Sequence, residues 1–119
     1  MQRLNIQQGA TYKASFIFKV NGTPPDLTGF NATLVMRKLR NDRSDVLIEA
    51  TTGSGAIVIS NGTDSNGDPA AILDLTLSSV ETADLPSGTV EFDLDASDQS
   101  TPPIVYRVAT GQATVAPQV

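Results

Sequence analysis

The sequence predicts an all-β protein, an antiparallel β-sandwich of seven or eight short strands with one short helical turn. Three observations predict this fold class. Apolar and polar residues alternate with a period of two over much of the chain, which is typical of half-buried strands. Turn-forming residues recur about every eight to twelve positions. The chain has 119 residues, the size of one domain, so residues 1–119 are predicted to form a single β-sandwich domain.

In the first half of the chain, alternating segments are separated by strong turn signals. The predicted strands of this half are 12–20, 32–37, 46–50 and 56–60. Asn21-Gly22 favours a tight hairpin-type turn, and Pro24-Pro25 cannot continue a β-ladder. The polar residues 41–45 predict a second turn, and we expect a third loop over 51–55.

In the second half, strands are predicted over 71–77, over 89–96 and from Ile104 onward. Residues 61–69 are predicted to form the longest polar loop, and residues 97–103 another. Ser78 and Glu81 have the spacing of a capping box, so one helical turn is expected before Pro86. The phase of the last strand changes near Gly111, which predicts a β-bulge there.

Composition excludes several classes of function. The net charge is -5, which disfavours nucleic acid, and aromatic residues make up only 5%, which leaves few stacking platforms for single strands or sugars. There is no cysteine and no histidine, so disulfides, thiolate nucleophiles and the commonest general base are excluded. No apolar run approaches the ~20 residues of a membrane-spanning helix. Residues 1–6 lack the apolar core of a signal peptide, so we expect synthesis in a cytoplasm.

Two clusters of carboxylate residues are the best candidates for a chemical site. Residues 64–68 (Asp-Ser-Asn-Gly-Asp) carry oxygens that suit a hard cation, but the glycine falls too early for an EF-hand and a solvated turn is preferred. Glu91, Asp93 and Asp95 share one face of a strand, which favours a solvated face over a glycosidase pair. The serines lack a Gly-x-Ser-x-Gly elbow. We therefore predict no catalytic residue, cofactor or metal, and not an enzyme.

The acidic row has a candidate structural role. A basic cluster, Arg37, Lys38, Arg40 and Arg43, ends an earlier strand. If the two strands are neighbours, as strands C and F are in an immunoglobulin-type sheet, Arg37 lies across from Glu91 or Asp93. Such exposed pairs contribute at most about 1 kcal/mol, so they would help set the register more than the stability.

The order of these features resembles a family of small structural domains of tailed bacteriophages, similar to the amino-terminal immunoglobulin-like module of phage baseplate upper proteins. A first strand enters residues 7–12, and the connector Gly22-Thr23-Pro24-Pro25-Asp26-Leu27-Thr28-Gly29 precedes a core strand. Later come Leu85-Pro86-Ser87-Gly88, the strand Phe92-Asp93-Leu94, and a closing strand with residues 111–115. The resemblance spans nearly the whole chain and implies an immunoglobulin-like sandwich. Because family members in baseplate proteins continue into fibre or receptor-binding regions, the position in the virion stays open.

The resemblance implies a non-enzymatic virion component of the tail, baseplate, fibre base or neck, present in several copies. Expected partners are other virion proteins and copies of itself, without nucleic acid or membrane. The alternatives are a head-decoration protein and an adhesion or carbohydrate-binding module. Phe30 is the main aromatic residue that the loops offer for binding a ligand. Residues 3–7 or 115–119 would either add to a partner's sheet or close their own sandwich, with the second preferred. Lys13 and Lys19 are candidates for edge protection.

Overall fold

The structure, a computed structural model, describes residues 2–27, 29–38, 46–98, 100 and 102–117. These residues form eight strands and one helix, in the order β1 (Gln2–Gln7), β2 (Tyr12–Phe18), β3 (Asn31–Arg37), β4 (Val46–Thr51), β5 (Ile57–Thr63), β6 (Pro69–Leu77), α1 (Ser79–Ala83), β7 (Gly88–Ser97) and β8 (Val105–Ala116). One sheet has the strand order β1-β8-β7-β3-β4 and the other β2-β6-β5. The predicted all-β sandwich with one short helix is therefore confirmed.

The strand order is that of an immunoglobulin-type domain. Strands β3, β7 and β8 occupy the positions of C, F and G, and strands β2, β6 and β5 those of B, E and D. One pair departs from the expected antiparallel arrangement, because β1 runs parallel to β8 from Gln2 beside Gly111 to Gln7 beside Ala116. A parallel pair needs a long connection, and here the rest of the domain lies between the two strands.

The core lies between the two sheets and follows from the period-two alternation. On β7, four alternate residues are buried: Val90, Phe92, Leu94 and Ala96. The opposite sheet supplies Phe16 from β2 and Leu73 and Leu75 from β6. The rings of Phe16 and Phe92 meet across the sandwich with their centroids 6.1 Å apart and their planes tilted by 54°. This tilted pair joins the two sheets near the middle of the core.

The predicted loop over residues 61–69 is wrong. Strand β5 continues to Thr63 and β6 begins at Pro69, so the turn covers only residues 64–68. The polar side chains did not prevent strand formation because β5 lies at the edge of its sheet. Thr63 and Pro69 form a non-hydrogen-bonded pair of the ladder between β5 and β6. Proline is tolerated in β6 because pairing with β5 needs no N–H at this position.

The predicted bulge exists, but its position near Gly111 is wrong. Gly111 is paired in register with Phe92, whereas Leu94 pairs with Ala109 and Asp95 pairs with Arg107. Val108 is thus the extra residue of β8. The extra residue shifts the alternation of side chains along β8 by one position. Tyr106 before the bulge and Ala109 after it therefore both face the core.

Each end of the sandwich is closed by a short segment. Helix α1 has the predicted capping box, because Ser78 Oγ accepts from the Glu81 N–H at 3.1 Å and the Glu81 carboxylate accepts from the Ser78 N–H at 3.0 Å. Thr82 is fully buried and donates to the Ala10 carbonyl at 2.8 Å, which ties the helix to the turn before β2. At the other end, the connector buries Leu27.

Two further turns separate the strands. Asn21 and Gly22 both have positive φ, 53° and 78°, as a type I′ turn requires, and Val20 and Thr23 bond each other across it. The predicted tight turn is therefore confirmed. The first strand ends at Gln7, earlier than the family resemblance implied, and a turn leads into β2. The predicted turn at 41–45 lies outside the described residues, as do Arg40 and Arg43.

Candidate functional site

The acidic row Glu91, Asp93 and Asp95 lies on the outer face of β7, where the neighbouring strands supply basic partners. Strand β3 is adjacent to β7, and Arg37 lies directly opposite Glu91, which confirms the predicted register. On the other side, Arg107 of β8 forms ion pairs with Asp95 and, at 3.4 Å, with Asp93.

This environment favours a structural role for the row. Arg107 bonds two of its three carboxylates, and Thr110 Oγ1 donates to Asp93 Oδ1 at 2.8 Å. Arg107 is more than half exposed, so the pairs contribute only a few tenths to about 1 kcal/mol each. Their main effect is on the alignment of β7 and β8.

The Asp64 carboxylate organises the β5–β6 turn. Its Oδ1 accepts from the N–H groups of Asn66 at 2.9 Å and Asp68 at 3.0 Å, and its Oδ2 accepts from Lys19 Nζ. Gly67 has a φ of 83°, as the turn interpretation requires. The bond from Lys19, and then that from the Asp68 N–H, lower the pKa of the Asp64 carboxyl below its ordinary value of 3.8. Among the described residues, no group of three or more acidic side chains is placed to hold a metal ion.

The two chain ends are joined to each other. Gln7 Nε2 donates to the Pro117 carbonyl at 3.1 Å, and the Gln8 N–H donates to the Ala116 carbonyl at 3.0 Å. Arg3 also donates to the Gln112 side chain at 3.2 Å. Residues 3–7 and 115–116 therefore pair within their own sandwich, which confirms the preferred alternative for both. Residues 118–119 lie outside the described residues.

Among the described residues, four strands lie at the edges of the two sheets. Strands β1 and β4 are the edges of one sheet, and β2 and β5 are the edges of the other. Three of these strands carry a charged residue, namely Arg3, Lys13 and Glu49, and β5 carries none. Lys13 lies on an edge strand, as its predicted role in edge protection requires, whereas Lys19 follows β2 and bonds Asp64.

Apolar side chains are exposed on the outer face of the three-stranded sheet. Val58 of β5 is 56% exposed and Ile17 of β2 is 48% exposed. Ile17 lies directly opposite Ile72, and Val58 is one strand further along. The charged residue Asp74 lies directly opposite Val58, so this face combines exposed apolar side chains with a carboxylate.

A groove of about 450 Å³ follows the edge of β5. Five consecutive strand residues, 57–61, line one side of it, and the connector residues Asp26, Leu27 and Phe30 line another. Because alternate residues of a strand point in opposite directions, a run of five along one groove means that the groove follows the backbone.

Phe30 belongs to an aromatic cluster that the sequence analysis missed. Its ring stacks on Tyr106 at 5.8 Å, and Phe18 meets the same tyrosine ring at 5.6 Å. The three residues are far apart in the chain, so only the packing of β2 and β8 brings them together. The signal available in the sequence was their position at the ends of predicted strands.

A comparison with protein-family models found no matching family, and a comparison with curated proteins found no match. Within the described part of the chain, no helix is long and apolar enough to cross a membrane.

Proposed function

We propose that this protein is a non-enzymatic structural component of a tailed-phage virion, in the tail, baseplate, fibre base or neck, and that it acts by multimeric protein–protein assembly. The family resemblance of the connector and of the strand around Phe92 supports the virion role. The assembly role is supported by the edge of β5, which has no charged residue and lies beside the exposed apolar residues Val58 and Ile17. Open strand edges favour contact with other chains, and the exposed apolar side chains beside this edge add surface that such a contact would bury.

The sandwich suits such a role because its parts are tied together. Ladder bonds join the chain ends, and Thr82 and Gln8 fasten the turn before β2 to the helix region. A rigid module loses little conformational entropy when it docks, so more of the contact energy remains as affinity. In this mechanism the protein presents preformed edges and faces to neighbouring subunits and performs no chemistry.

The virion role is tested on particles from the strain that encodes the chain. Particles purified by density gradient are digested and searched by mass spectrometry for peptides of this protein, and immunogold labelling then locates it. The proposal expects stoichiometric amounts and labelling at the tail or its junction with the head. Labelling over the capsid surface would instead identify a head-decoration protein, and absence from particles would refute the virion role.

The aromatic cluster supports a second candidate, an adhesion or carbohydrate-binding module. Phe30 lines the groove together with Asp26 and Asn61, so an apolar ring and polar side chains border the same space. Sugar binding commonly combines an aromatic face with hydrogen-bonding groups. A glycan array probed with the protein and with Phe30→Ala separates the candidates, because a binding module binds as a monomer and loses binding on removal of the ring.

A further inference from the structure

Strand β5 pairs with β6 on one side and, among the described residues, with no strand on the other. The N–H of Thr76 donates to the Ala56 carbonyl at 2.8 Å, and the N–H of Asp64 donates to the Asp68 carbonyl at 2.8 Å. Hydrogen-bonded pairs alternate with non-bonded pairs in an antiparallel ladder, so the even-numbered residues of β5 bond to β6. The N–H and C=O groups of Ile57, Ile59 and Asn61 consequently point away from β6, toward the groove.

The side chains of β5 do not protect this edge. Natural edge strands are usually blocked by charged residues, proline or a bulge. Residues 57–63 contain neither a charged residue nor proline, and the pairing with β6 runs in register from Ile57 to Thr63. The other three edge strands each carry a charge. An uncharged edge of seven residues therefore stands out as the place where a further strand can pair.

The groove defines the chemistry of what pairs there. Residues 57–61 present about 14 to 17 Å of edge at ~3.4 Å per residue, which accommodates an extended segment of about five residues. Its inward side chains would face Leu27 and Phe30 and are therefore apolar. Its outward side chains are polar. Asp26 is the charged residue among those lining the groove, and the chain has a net charge of -5, so a basic residue at the end of the segment is favoured over an acidic one.

We propose that the open edge of β5 binds an extended segment of a different virion protein, which adds a fourth strand to the β2-β6-β5 sheet. The segment alternates apolar and polar residues and carries lysine or arginine, not carboxylates. This inference rests on the proposed assembly function and names the surface through which assembly takes place. Affinity comes from the main-chain bonds to Ile57, Ile59 and Asn61, and specificity comes from the groove beside them.

The test uses the whole protein and a defined probe, the end-blocked peptide Lys-Val-Thr-Val-Thr-Val-Lys. Asn61→Pro removes one outward N–H and places the proline ring in the path of the added strand. It breaks no bond to β6, and the Asn61 side chain is exposed. Asn61→Ala is the matched control, since it loses the same side chain but keeps the N–H. Circular dichroism and thermal melting establish that both variants are folded.

Titration is followed by the amide resonances and hydrogen exchange of ¹⁵N-labelled protein. The peptide is expected to shift and protect the amides of Ile57, Ile59 and Asn61. Asn61→Pro should bind the peptide at least about fivefold more weakly than Asn61→Ala does, which is the effect of one lost backbone bond. A peptide with Glu in place of Lys should bind more weakly, and one N-methylated at alternate residues should not bind.

Three results would overturn the proposal. Shifts confined to other parts of the surface would exclude this edge, as would equal binding by wild type and Asn61→Pro. Concentration-dependent shifts of the same amides without peptide would make a second copy the occupant. If the edge fails to bind while the protein is found in virions, the assignment of the edge is wrong and the proposed function stands. If the edge binds peptide but the protein is absent from virions, the virion role is wrong.

Discussion

Replacing Phe16 and Phe92 by leucine, singly and together, tests whether β2 and β7 face each other across the core. Both side chains are almost completely buried, and their rings are 6.1 Å apart. Each single substitution removes ring atoms and leaves a partly filled space, which should lower the free energy of unfolding by about 1 to 2 kcal/mol. The two rings also attract each other by about 0.5 to 1.5 kcal/mol beyond their buried area.

The double variant should therefore lose less stability than the sum of the single losses, because the ring–ring attraction is removed only once. The total remains below the ~6 to 18 kcal/mol expected for a domain of this length, so all the variants should fold. Unfolding in urea, followed by far-ultraviolet circular dichroism, gives the four free energies of the cycle. The coupling should lie at about 0.5 to 1.5 kcal/mol.

A control cycle pairs Phe16→Leu with Val80→Ala. Val80 is an exposed residue of the helix, so this pair should be additive to within about 0.5 kcal/mol. If the Phe16 and Phe92 losses were additive to the same degree, the two rings would not be in contact. The packing of the two sheets described above would then be refuted.

Three further predictions concern the surface and one end of the sandwich. Arg37→Glu should lower stability by a few tenths to about 1 kcal/mol, and adding Glu91→Arg should restore it; strict additivity in denaturant titrations would argue against the pairing. Thr82→Val should cost about 1 to 2 kcal/mol, measured by thermal melting, because the Ala10 carbonyl loses the buried hydroxyl that donates to it. The pKa of Asp64 is depressed in the folded protein. Its ionised side chain therefore contributes to stability above pH 3.8, and this contribution is lost as the pH falls through the folded pKa. Asp64→Asn should therefore flatten the acid limb of the stability curve below pH 3.8, and an unchanged limb would contradict this.

Sequence periodicity predicted those elements whose structure is determined locally. The alternation of Val90, Phe92 and Leu94 was sufficient for β7, and the Ser78–Glu81 spacing was sufficient for the helix cap. The pairing of Arg37 with Glu91 also followed, because an immunoglobulin-type order fixes which strands are neighbours.

The errors arose where tertiary context outweighs local composition. Residues 61–63 are polar or glycine, yet β6 bonds to them and extends β5 past Asn61. The bulge lies at Val108 and not at the glycine, because the register with β7 determines which residue is extra. The groove and the aromatic cluster depend on how the connector crosses between sheets, which no local pattern contains. The absence of charge from residues 57–63 was visible in the sequence, but its meaning required knowing that β5 is an edge.

Multimeric assembly through surface contacts is the central claim, and the mass of the protein in solution tests it most directly. Multi-angle light scattering across a concentration series, at low and at moderate salt, measures this mass for the purified chain. The proposed self-assembly predicts a discrete multiple of the 12.5 kDa chain mass, such as a trimer or hexamer, with the copies joined through a surface other than the β5 edge. A mass of one chain at every concentration would contradict self-assembly by the isolated protein.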